Sequence, residues 1–90
     1  MSTFLIGYDL DTPGQNYEGL AEQIKSLGAW WHHLDSTWLV KSDLDQVAIR
    51  DRLKSVLDSN DELLVVNVSG DAAAWCGFDQ RGSKWLRDNL

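Results

Sequence analysis

Disulfides, long apolar runs and clustered positive charge are all missing from this chain, and each absence removes a class of protein. A single cysteine, Cys76, cannot form an internal disulfide, which argues against a stapled secreted domain and leads us to expect a reducing, cytoplasmic setting. Cys76 has no CxxC partner and no adjacent basic residue, so it reads as a buried small hydrophobe and not as a nucleophile. No apolar run approaches the roughly 18 residues that a transmembrane helix requires, so no membrane is expected as a partner. The opening Met1-Ser2-Thr3 runs straight into a strand with no basic lead, so no signal peptide is expected. No glycine-rich loop stands ahead of a helix in the form that cradles phosphates.

Positive charge is the scarcest resource. Eight Lys and Arg face 14 Asp and Glu, for a formal net charge of −6. A field of that sign opposes non-specific binding to nucleic-acid backbones, which needs clustered cations. The basic residues are instead dispersed, as Lys25, Lys41, Arg50, Arg52, Lys54, Arg81, Lys84 and Arg87. A dimer could gather Arg81, Lys84 and Arg87 into one patch; otherwise the acidic surface serves solubility.

What the chain does have is aromatic weight in one place. Three of its five tryptophans and both histidines fall within Ala29-Trp30-Trp31-His32-His33-Leu34-Asp35-Ser36-Thr37-Trp38. Two strand-like runs, 30–34 and 37–41, flank the polar pair Asp35-Ser36, which predicts a tight hairpin. Around it, residues 3–10 alternate as a central strand, with Phe4, Ile6, Tyr8 and Leu10 on one face. Tyr17, Leu20, Ala21, Ile24 and Leu27 recur at helical spacing and predict a helix over 16–27, with Asn16 as N-cap and Gly28 as its stop. Ser42-Asp43 predicts the cap of a second helix over 43–57, and residues 62–69 form the clearest strand. The order strand, helix, strand, strand, helix, strand predicts an α+β, ferredoxin-like βαββαβ sandwich. Two helices lie on one face of a four-stranded antiparallel sheet, with strands one and three in the middle. Residues 1–69 make this core, and residues 70–90 form an extension of the same single domain. The second sheet face is then expected to carry tryptophans and to need cover. The extension can supply it in cis or across a dimer, through a strand or coil at 72–78 and a helical end at 83–90 capped by Ser83.

Candidate chemistry is sparse. Asp9 and Asp11 lie near a strand end, and a magnesium ion asks for one or two carboxylates plus waters; the same pair could simply cap the loop. Adjacent His32 and His33 point to opposite faces of a strand, so they cannot chelate one ion within a chain. The tryptophans either fill the core or stack on a ligand. For a small anionic ligand the expected site combines Trp38 or Trp85 for stacking with Ser83, Lys84 and Arg87 for the charge, at a dimer cleft. The competing reading makes Ser83 a helix cap and Trp85 an anchor.

Several short motifs resemble a known group. Tyr8-Asp9 at the end of the first strand, the Gly28 turn, the hairpin at Asp35-Ser36-Thr37 and the closing strand 63–68 resemble the small ferredoxin-fold CRISPR adaptation proteins (Cas-two) and the VapD toxins. Gly28-Ala-Trp-Trp-His, Ser36-Thr-Trp and Ser83-Lys-Trp-Leu are similar to the bacterial and phage proteins labelled SinR-like. The resemblance covers nearly all the chain. It implies a homodimer, often with a C-terminal strand added to the partner's sheet. In metal-dependent relatives an aspartate ending strand one holds a divalent ion at the dimer axis, a role that maps onto Asp9. The basic residue many relatives carry in the next loop is missing from Asp11-Thr12-Pro13-Gly14-Gln15. Two functions follow as expectations. One is a dimeric binding module for a protein partner or a small nucleotide, without a cofactor. The other is a Mg2+-dependent ribonuclease or deoxyribonuclease using Asp9 from each chain.

Overall fold

The computed structural model describes residues 1–11 and 17–90, and Tyr17 by its backbone alone. The expected Asn16 cap lies outside these residues. Seven elements follow in order: β1 (Ser2–Asp9), α1 (Tyr17–Lys25), β2 (Ala29–Leu34), β3 (Thr37–Ser42), α2 (Gln46–Lys54), β4 (Glu62–Asn67) and α3 (Gln80–Asn89). The strands form one sheet in the order β2-β3-β1-β4, every neighbour antiparallel. This is the ferredoxin-like arrangement, with β1 and β3 central and a third helix added at the C-terminus. Among the described residues no helix is long and apolar enough to cross a membrane.

Alternation along β1 and β3 sorts side chains between the faces. Phe4 and Ile6 of β1 pair with Val40 and Trp38 of β3 and point to the front. There they meet Leu20, Ile24 and Leu27 at α1 and Ile49 and Leu53 of α2 in one closed core. Leu63 and Val65 of β4 pack partly against it. Burying each such side chain stabilises the fold by roughly 1.5–3 kcal/mol.

The back face is smaller. Leu86 of α3 packs on Trp31 and Leu39, with Leu5, Val68, Phe78, Trp85 and Leu90 around them. Two hydrogen bonds hold α3 to its own sheet. Trp31 Nε1–H donates to the Gly82 carbonyl at 3.1 Å, and the buried Thr3 hydroxyl donates to the Asn89 carbonyl at 2.6 Å. The second satisfies one of the orphan carbonyls at the helix C-terminus.

Local details depart from the sequence expectations for identifiable reasons. Helix α2 starts later than expected because Asp45, not Ser42 or Asp43, caps it: its carboxylate accepts from Ala48 N–H at 2.8 Å. Ser42 is used instead in a turn, where its hydroxyl accepts from Leu44 N–H. Helix α3 starts earlier than expected. Asp79 is its N-cap, accepting from Gly82 N–H at 2.8 Å, so Ser83 lies inside the helix and is not a cap. Residues 72–78 are coil. Cys76 is exposed, not buried, because it sits in that coil. Gly28 is demanded by close approach rather than by a helix stop, since a Cβ there would overlap the Lys41 carbonyl.

Candidate binding site

The hairpin at the centre of the sequence closes on Asp35-Ser36 as a two-residue turn, with Leu34 paired to Thr37. One irregularity redirects it. Trp31 pairs with Leu39, yet Leu34 pairs with Thr37, so β2 carries one residue more than β3 across this interval. Such a bulge breaks the strict alternation of a strand. It moves Leu34 to the back face with Trp31 and Thr37; simple alternation would put it in front with Trp30 and His32.

The two histidines part as expected. On the front, His32 stacks flat on buried Trp38, with ring centroids 3.7 Å apart and planes 9° from parallel. Its Nε2–H donates to the Asp35 carbonyl at 3.1 Å. Trp30 packs at a tilt against Trp38, with Lys25 Nζ 4.9 Å from the Trp30 ring centroid. Trp38 Nε1–H donates to the Tyr8 hydroxyl at 3.1 Å. Trp38 is therefore a core residue with both its polar and its apolar needs met. On the back, His33 lies against Trp31 and Phe78, with centroids 5.0 and 6.0 Å away.

The expected anion site does not assemble as one unit. Trp38 belongs to the front core and Trp85 to the back cluster. Ser83, Lys84 and Arg87 line a shallow groove with Phe78, Asp79 and Gln80, away from both tryptophans. Lys84 is engaged by Asp88 at 2.6 Å, and this ammonium holds the Asp88 carboxyl below the usual carboxylate range, with Arg87 adding to the effect. Trp85 instead lines a groove at the outer edge of β2 with Trp30, Trp31, His32, His33 and Arg81. Sequence reasoning missed His33 and Arg81 as partners of Trp85. The available signal was the four-residue spacing of Arg81 and Trp85, which places both on one helix face once the helix is started at Asp79.

Asp9 is exposed and lies opposite Glu62 in the β1–β4 pairing. Asp11 is tied down by its backbone, its N–H donating to the Asp61 carboxylate at 2.8 Å. Among the described residues no group of three or more His, Cys, Asp or Glu side chains is placed to share a metal ion.

A concavity of about 520 Å³ opens on the back face between the sheet and the coil 71–78. Leu5, Leu39, Val68, Phe78 and Leu86 make its lining strongly apolar, and Cys76 sits at its wall. One row of the sheet running out of it is only partly covered. Leu34, Thr37, Gly7 and Leu64 are consecutive partners across the four strands; Leu34 and Thr37 line the cleft, and Thr37 and Gly7 are half-buried. Leu64 is 60% exposed and Leu34 48%. The tryptophans expected on the open face are largely under cover; what stays open is aliphatic, plus Trp75 on the coil.

No protein-family model matches the chain, and no curated protein sequence does. Among solved structures, a hypothetical protein, TT1823 from Thermus thermophilus, is similar. It is 22% identical with a TM-score of 0.63, over 84% of this chain and 92% of that one. A likeness at that identity is one of fold, and the fold it shares is the α+β arrangement described above.

Proposed function

We propose that the protein is a cytoplasmic, dimeric binding module that recognises a protein surface, a second copy of itself first, and catalyses nothing. The observation that carries this reading is the apolar cleft, with the partly open row Leu34, Thr37, Gly7 and Leu64 running from it to the exposed Leu64 of the edge strand. A small domain buries little of its own surface, and a contiguous exposed apolar patch marks an interaction site. Val66, half-open on the edge strand β4, extends the patch to a free sheet edge. The exposed thiol of Cys76 fits a reducing compartment.

Light scattering at high micromolar concentration should give twice the 10.2 kDa chain mass. Leu64→Glu should give the single-chain mass with an unchanged circular-dichroism spectrum, because Leu64 is largely exposed in one chain and a charge there is costly only against a partner. A wild-type monomer throughout that range sinks the dimer.

A second reading is supported by the Asp9–Glu62 register. These carboxylates lie one step beyond the partly open row, so a dimer across the row would bring four of them towards its axis. One Asp9 carboxylate from each chain would supply the one or two that Mg2+ takes while it keeps its waters. Cleavage of RNA or DNA that needs both Mg2+ and Asp9, and is absent in Asp9→Ala, would establish a nuclease in place of the binder.

A further inference from the structure

The groove between the first turns of α3 and the outer edge of β2 has a composition unlike the rest of the surface. Trp30, Trp31, His32, His33, Arg81 and Trp85 line about 400 Å³, within the roughly 300–1,000 Å³ of small-molecule sites. In a chain with 14 acidic and eight basic residues, no carboxylate lines it. Arg81 forms no ion pair among the described residues, and Asp79, two positions before it, is engaged as the cap of α3.

The groove is also built. Gly82 stands where a helix would ordinarily reject glycine. A Cβ there would lie 3.2 Å from both Cε1 and Nε2 of His33. The absence of a side chain at 82 lets the imidazole lie directly against α3. The Trp31 bond to the Gly82 carbonyl fixes that approach. Arg81 and Trp85, on one helix face, then stand beside His33.

We propose that this groove binds a mononucleotide, its phosphate on Arg81 and the His33 imidazole and its base against the indole of Trp85. A guanidinium is a strong phosphate donor, and every base offers a π-face to an indole. An inorganic anion would have no use for the aromatic walls, and an uncharged aromatic none for the cation. In a field of −6 the anion must be met locally, and this lining is where negative charge is missing. The proposal rests on the binding-module reading but uses a different surface from the partly open row.

The test is a titration by calorimetry and tryptophan fluorescence with AMP, adenosine and inorganic phosphate. AMP should bind saturably, and adenosine and phosphate each about tenfold or more weaker. Arg81→Gln and His33→Gln should each weaken AMP by about tenfold with the fold intact by circular dichroism. Lys84→Ala, in the neighbouring groove, should change it less than about twofold. Leu64→Glu should bind AMP as the wild type does, so a failed dimer and a failed groove read out separately. The proposal is overturned if neither AMP, GMP, CMP nor UMP binds saturably up to about 10 mM. It is equally overturned if Arg81→Gln binds like wild type, or if Lys84→Ala loses as much as Arg81→Gln.

Discussion

The two faces of the sheet are built from the same strands and solve different problems. In front, α1 and α2 complete a core of nine buried residues, and even the Trp38 Nε1–H and the His32 Nε2–H find partners inside the chain. Behind, one helix held by a hydrogen bond near each end covers three buried residues and leaves a cleft and a partly open row. The front face is where this sequence specifies a fold. The back face holds what the fold has left over for other molecules.

Unequal truncation costs test that division first. Ile49→Ala or Leu53→Ala should destabilise by about 2–5 kcal/mol, since both are fully enclosed and leave a cavity. Leu86→Ala should fall at the bottom of that range, about 2 kcal/mol, because it borders an existing cleft. Urea denaturation measures both. An Leu86→Ala cost equal to that of Ile49→Ala would mean that the faces are equally integral.

A smaller effect probes the clamp alone. Trp31→Phe keeps most of the ring but removes the donor to the Gly82 carbonyl, so we expect about 1 kcal/mol, read from the denaturant midpoint. No change would show that α3 is held by apolar contact only.

The smallest effect is on the exposed side of α3. Asp88 has its folded pKa lowered by Lys84, so its contribution is present above its ordinary value and is lost as pH falls through the folded one. Melting curves of wild type and Asp88→Asn should therefore converge as the pH falls below the ordinary carboxylate range. The separation above that should be slight. The pair is exposed, Lys precedes Asp, which is the weaker order, and Asp88 faces the negative end of the helix dipole.

The front face was legible in the residues because its signals agree. Phe4, Ile6, Trp38 and Val40 alternate, while Leu20, Ile24, Ile49 and Leu53 fall at helical spacing, so strand order and helix placement followed. The back face was not. The polar run Gln80 to Lys84, with Gly82 in it, separates the Asp79 cap from the first apolar anchors, so the cap was placed four residues late, at Ser83. The bulge left no mark, because both histidines are tolerated on either face and Trp30–Leu34 looks regular as written. Of the candidate ligand residues, Trp85 was found by its chemistry. Arg81 and His33 needed the docking of α3 on β2, which is a tertiary fact.

Gly82 has a consequence for how these pieces move. A glycine in the first turn weakens α3 as a helix by about 1 kcal/mol relative to alanine, in an element whose buried residues are Gly82 and Leu86. The last helix is then the part of the chain expected to open first, independently of the front core, in native-state hydrogen exchange. Arg81 and Trp85 leave with it, so the groove exists only while the helix is docked. Any ligand that bridges α3 to His33 would slow that opening by mass action, and occupancy would be registered as protection of the helix amides.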